Sequence, residues 1–331
     1  MEMGPDYAAA VPASEALEKA ARGSGHLLHM PGHIYMQLGW WVRAAEVNQR
    51  AVDLDNAWAA QTEGSGTKFY RGYTAHNLHF IVYCAMQSAR FEEAMDAARR
   101  SDALYPVLAP GFDLNFLEHY TWQDIHVLLR FGKWEEVLAR PFREGRPGDT
   151  ALLHYARTVA LAALGRIPEA AEEAALLSTA RTAVPEVARM HNVLVHDMLD
   201  VAELVAEGEM EYRKGSYDRA FELLRRAVQL EQDLPYDEPP GVMMPVRHAL
   251  GALLLAQGHV EEATAVFQED LVNRFSFESV WALRGLLSCF EASGDEAAAA
   301  DVRARLDKAQ AGSDVTVGVA CMCARASSGA S

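Results

Sequence analysis

Apolar residues recur along most of the chain at spacings of three and four, the period of an amphipathic helix. FELLRRAVQL (221–230) and ATAVFQEDLV (263–272) are two such stretches. Between stretches stands a small residue, followed five positions later by a second, usually alanine. Seven segments share this spacing: LGWWVRA, SARFEEA, FGKWEEV, LGRIPEA, KGSYDRA, QGHVEEA and SGDEAAA. Their first small residues are Gly39, Ala89, Gly132, Gly165, Gly215, Gly258 and Gly294, separated by 50, 43, 33, 50, 43 and 36 residues. Each ends one apolar stretch and opens the next, so the pattern predicts a helix–turn–helix unit repeated seven times over about 26–310. The longer separations imply insertions, TEGSGTKFYRGYTA (62–75) and LPYDEPPGVMMP (234–245). The three prolines of YDEPPGVMMP exclude helix there. Residues 1–25 hold one amphipathic helix, over 7–22, with no partner before it. After Lys308 the helical pattern stops, and 311–331 reads as an extended or disordered tail.

The seven units resemble the tetratricopeptide repeat (TPR), in which a glycine ends helix A and a small residue of helix B marks the closest packing. The resemblance implies an all-α fold, an α-solenoid in which about seven helix pairs form a right-handed superhelix. It also implies a second glycine seven residues before the turn, a place held here by Gly32, Gly208 and Gly251. In that family helix A lines a concave groove, with groove-facing positions thirteen, ten and six residues before the turn glycine. HLLHMPGHIYMQLG, YTAHNLHF and YDEPPGVMMPVRHALGALLLAQGHVEEA further resemble larger bacterial-type TPR proteins with HMPSHI, PHNxHF and YDEPPxW segments and a cysteine-bearing end. Here Gly32 replaces the serine, and Val242-Met243 stands where those proteins have tryptophan. Those proteins also carry an upstream helix pair, so the chain resembles an N-terminally truncated member, with 1–25 the orphan helix of a partial repeat.

Histidines crowd the groove positions. His26, His76 and His119 lie thirteen before the turn residue, His29, His79 and His248 ten before, and His33 and His126 six before. Eight of the twelve histidines thus fall where chance placement would put fewer than one, and seven of the eight belong to the first three units. Pro31 lies between His29 and His33; a kink there and a helix start there are both open readings.

Imidazole ligates zinc, copper, iron and nickel. His26, His29, His33, His76, His79 and His119 are therefore candidate ligands of a transition-metal ion, copper or zinc foremost and iron next, with His126 at the edge of the set. Cys321 and Cys323 in the tail are candidate thiolate ligands if the tail folds back into the groove; the alternative is a loose tail. Asp237 and Glu238 are candidate oxygen ligands or substrate contacts, or part of a capping loop. Glu118 reads as a solvated helix residue or a carboxylate behind a histidine. Trp40, Trp41, Tyr83 and Trp122 read as core or as walls of a dry pocket. A second reading of the groove is a non-catalytic scaffold that binds a peptide or partner protein through polar histidines.

The totals narrow the classes. The formal net charge is −16, which disfavours nucleic acid and favours a basic partner. No apolar run is long enough to span a bilayer, and the N-terminus lacks the marks of a secretory signal, so a cytoplasmic protein is expected. Four cysteines are too few for a disulfide scaffold; Cys84 and Cys289 sit in apolar helical patterns and read as buried thiols. No nucleophile triad, phosphate loop, dinucleotide fingerprint or HExxH motif occurs. Whether a bound ion does chemistry is open; metal-assisted oxidation or hydrolysis is the class such a site supports. The groove ligand is expected to be a peptide, a protein or a small molecule.

Overall fold

The structure, a computed structural model, describes residues 4, 6–61, 67–272 and 276–324. It is all-helical, with sixteen α-helices among the described residues. A first helix, α1 (Val11–Ala20), precedes seven successive pairs. These are α2 (Gly25–Gln37) with α3 (Trp41–Gln61), α4 (Thr67–Gln87) with α5 (Phe91–Ala103), and α7 (Gln123–Arg130) with α8 (Trp134–Ala139). They continue with α9 (Pro147–Ala163) and α10 (Ile167–Arg181), then α11 (Val195–Arg213) and α12 (Tyr217–Asp233). The last are α13 (Val246–Ala256) with α14 (Val260–Leu271), and α15 (Val280–Ser293) with α16 (Glu296–Ala309). A five-residue helix, α6 (Phe112–Phe116), and a hairpin of β1 (Arg189–Met190) and β2 (Val193–Leu194) lie between pairs.

The seven turns share one geometry. All seven expected turn residues have left-handed φ, from 56° at Ala89 to 82° at Gly215 and Gly258. The next residue donates its N–H five residues back, from Trp40 to Tyr35 at 2.8 Å through to Asp295 to Phe290 at 3.0 Å. This pattern satisfies carbonyls that a helix end leaves without partners. The second small residue of each unit, Ala44, Ala94, Val137, Ala170, Ala220, Ala263 or Ala299, is completely buried. A larger side chain there would push the two helices apart.

Each helix of a pair packs on its partner, and the first helices of successive pairs also touch, α2 on α4, α4 on α7, α7 on α9 and α9 on α11. The chain then returns on itself. Trp281 Nε1 donates to the Met86 carbonyl at 2.7 Å, and Trp41 Nε1 to the Glu278 carbonyl at 3.3 Å. Asp314 accepts the Phe91 and Glu92 N–H groups at 2.6 and 2.9 Å, capping α5. Trp41, Tyr83 and Trp122 are core, and Trp40 is 40% exposed. No described helix is long and apolar enough to cross a membrane.

Several elements differ from their expectation. Thr67–Ala75, read as the end of an insertion, is the start of α4; Trp58 of α3 meets Tyr70 at 4.2 Å between ring centroids, and packing overrides the glycine at 72. The rest of that insertion, 62–66, lies outside the described residues. The tail is not loose: Ser313 Oγ donates to the Ser88 carbonyl at 2.8 Å and Arg284 Nε to the Val317 carbonyl at 3.0 Å. Val317, Ala320 and Cys323 are buried against the main core, while 325–331 lie outside the described residues. Helix α1 is seated on α2, where Glu18 accepts the Tyr35 hydroxyl at 2.9 Å and pairs with Arg50 at 2.6 Å.

The turns lend themselves to a direct measurement. At Gly165 (φ 75°) a Cβ would have nothing within 4 Å, so a methyl group there meets conformational cost alone. Gly165→Ala is expected to lower stability by about 1–2 kcal/mol in urea unfolding. Unchanged stability would mean that the turn does not require its left-handed residue.

Candidate metal centre

Helix α2 carries His26, His29 and His33 on one face. It runs through Pro31 from Gly25 to Gln37, capped where Ser24 Oγ accepts the Leu27 N–H at 3.3 Å, so Pro31 does not start a helix. Helix α4, packed beside it, carries His76 and His79. His119 lies on a single 3₁₀ turn, Glu118–Thr121, rather than on an α-helix, and His126 lies on α7. The adjacency of α2, α4 and α7 therefore lines these histidines up.

An open polar groove would leave them solvated, yet His29 is 1%, His79 0% and His119 2% exposed. The 234–245 segment closes over them, with Glu238 on His33, Asp237 beside His191 and Met243 Sδ 3.1 Å from His79 Nε2. His26 alone among the six is exposed, its ring 4.8 Å from that of Tyr73.

The orientation of His29 follows from a glycine. A Cβ on Gly32 would lie 2.6 Å from Asn48 Nδ2, so any larger residue there would displace the Asn48 amide from its present place against α2. Asn48 Nδ2 donates to the Ala44 carbonyl at 2.7 Å, which turns its oxygen toward His29. His29 Nδ1 faces that oxygen at 2.7 Å and must carry the hydrogen. Burial, reinforced by the neighbouring His33 and His26, holds His29 well below the usual histidine range. The neutral ring then presents a bare Nε2.

His33 is held in the same manner from far along the chain. Its Nδ1 bonds the Glu238 carboxylate, which also accepts Gln37 Nε2 and the Tyr236 hydroxyl. Its Nε2 lies 2.7 Å from His29 Nε2. His76 completes the group, its ring 4.8 Å from His29 and 6.2 Å from His33. One ligand nitrogen from each of the three lies within 4.8 Å of the others. Phe80 packs against all three rings at 4.8, 4.8 and 5.1 Å. Burial, with His29 and His191 nearby, also holds His76 well below its usual range.

The row continues through a residue that the groove positions do not include. His191, at the turn of the β1–β2 hairpin, stands 5.0 Å from His76, 5.6 Å from His79 and 5.0 Å from His119 between ring centroids. Its Nε2 meets the Tyr120 hydroxyl at 2.9 Å, and Asp237 Oδ1 is 3.3 Å from its Nδ1. Asp237 and Glu238 thus both face imidazole nitrogens of the row, a place different from the oxygen ligand, substrate contact or capping loop expected of them. Burial lowers His79 and His119 well below the usual range, and His126 to about 4.

Cys321 and Cys323 do not join the histidines. They are disulfide-linked to each other and lie within 4.8 Å of a Glu209 oxygen, lining a cavity with Trp122 and His126. Arg213, bonded to the Cys323 carbonyl, and Arg284, bonded to that of Val317, set this path. Burial raises Glu209 to about 7. His248, at a groove position, belongs to a separate buried trio, 2.8 Å from both Asp270 and Arg130. Glu118 is 3% exposed and accepts the Asp149 N–H at 2.9 Å, so it is neither solvated nor behind a histidine.

No family model matches the chain, and no curated protein matches it significantly.

Behind the row, Asp55 of α3 is buried beside Gly25 and accepts Asn77 Nδ2 at 3.5 Å. Burial raises its carboxyl to about 6, from 3.8. Its contribution to stability is therefore complete below its unfolded value and is lost as pH rises through the folded one. Asp55→Asn is expected to raise the melting temperature at pH 7.5 and to leave it nearly unchanged at pH 4. Equal effects at both pH values would contradict this assignment.

Proposed function

We propose that the protein is a metal-binding repeat protein: a TPR-like right-handed superhelix that holds a copper or zinc ion on His29, His33 and His76. The repeat assignment is supported by seven turns of one geometry and by contacts between first helices of successive pairs. The metal assignment is carried by one observation. Two imidazole Nε2 atoms face each other at 2.7 Å, while the Nδ1 atoms behind them are held by Asn48 and Glu238.

Two lone pairs at that distance repel unless a cation joins them. A single proton on His33 is the competing occupant, but it needs no third imidazole. Three nitrogens on one tetrahedral ion stand about 3.3 Å apart, which a small contraction of the present group reaches. Asn48 and Glu238 supply the outer hydrogen bonds that fix the tautomer of a metal-bound histidine and raise its basicity. Imidazole nitrogen suits zinc and copper.

Three protein ligands leave a position for water or for an incoming ligand. The exposure of His26 and the partial exposure of His33 and His76 support an open position on the accessible side, where a peptide or small molecule would enter.

Chelated, desalted protein reloaded with zinc or copper is expected to retain at least one equivalent. Glu238→Gln removes no proposed ligand, yet is expected to weaken binding by about 10–100-fold. Retention below about a tenth of an equivalent by the unsubstituted protein would overturn the reading, because a preformed site of this kind binds strongly.

A further inference from the structure

The remaining histidines form a second, wider trio. His29, His33 and His76 have ring centroids 4.5, 4.8 and 6.2 Å apart. His119, His191 and His79 have theirs 5.0, 5.6 and 6.2 Å apart. Three imidazoles on one tetrahedral ion place their ring centres about 5 Å apart, a spacing the second trio reaches only by drawing its rings together, whereas the first already has a nitrogen of each ring within 4.8 Å of the others.

The second trio also holds polar atoms that nothing satisfies. His79 Nδ1, both nitrogens of His119 and Asp237 Oδ2 are buried without a hydrogen-bond partner, and His191 Nδ1 has only the 3.3 Å approach of Asp237 Oδ1. Four such atoms in one spot are costly to bury, and a polar cluster of this kind is retained where something binds it. Three are imidazole nitrogens, and the fourth belongs to the carboxylate beside His191. An anion has no donor charge to meet there, whereas a transition-metal cation meets both imidazole and carboxylate. His76 touches both groups, at 4.8 Å from His29 and 5.0 Å from His191.

We infer that the row is a two-ion centre, in which a second zinc or copper ion is held by His79, His119 and His191 beside the ion on His29, His33 and His76. The inference rests on the proposed metal-binding reading and extends it to stoichiometry and to three further ligands. The three side chains lie on different elements, α4, the 3₁₀ turn before α7 and the β1–β2 hairpin. Loading the second ion therefore ties the hairpin to the helices.

Zinc alone, added to the chelated full-length chain, tests this by metal analysis after desalting, with melting curves in chelator as the check on folding. Two variants address the second trio. His119→Phe keeps a buried ring and removes both unpartnered nitrogens, so it is expected not to lower the metal-free melting temperature. His191→Gly suits the positive φ of 46° in a surface hairpin and leaves the helices alone.

The expected result is two equivalents for the unsubstituted protein, and one for His119→Phe, for His191→Gly and for His29→Ala. One equivalent in the unsubstituted protein, kept by both second-trio variants and lost in His29→Ala, would overturn the second ion and leave the first intact. Zero equivalents throughout would overturn the metal-binding reading and the second ion together.

Discussion

The approach of α3 to α2 at Gly32 is the contact on which the rest of the site depends. Without a Cβ at that position, Asn48 reaches the helix surface, and its amide is turned by the Ala44 carbonyl. That single orientation makes His29 a donor at Nδ1 and leaves Nε2 aimed at His33. The small residue at the helix contact and the tautomer that the proposed ligation calls for thus come from one close approach. A serine at Gly32 would bring its Cβ to 2.6 Å from Asn48 Nδ2 and force the amide that orients His29 to shift.

Burying imidazoles imposes the second constraint. A charged row of seven neighbouring rings would repel itself, so the interior keeps its most buried members neutral. Neutral rings still need partners, and for His33 and His191 distant segments supply them. Glu238 and Asp237 come from the proline-bounded loop after α12, more than 200 residues beyond His33, and His191 from a hairpin between α10 and α11. The row is therefore closed by loops across helices, which is why its far end is buried and its near end, at His26, is open.

The terminal segments complete the enclosure without entering the row. Asp314 caps α5, Val317 and Cys323 fill the core, and the Cys321–Cys323 pair settles beside Glu209. The thirteen-residue reach after Lys308 was long enough for the tail to fold back. Hydrogen bonds to Arg213 and Arg284 direct it elsewhere than the histidines.

The seven turns and the helix-borne histidines were legible in the sequence because both are local. A left-handed turn selects a small residue, helix pairing selects another five positions later, and a 3.6-residue period puts His26, His29 and His33 on one face. Gly32 was legible too, as a small residue at a packing position. His191 was not, because it lies in a hairpin with no periodic pattern, and its φ of 46° and neighbours arise only when α4, α7 and the hairpin meet. Asn48 and the destination of the cysteines were equally hidden. Which polar side chain faces a given ring, and where an extended tail comes to rest, depend on contacts between residues far apart in the chain, and no local period encodes those.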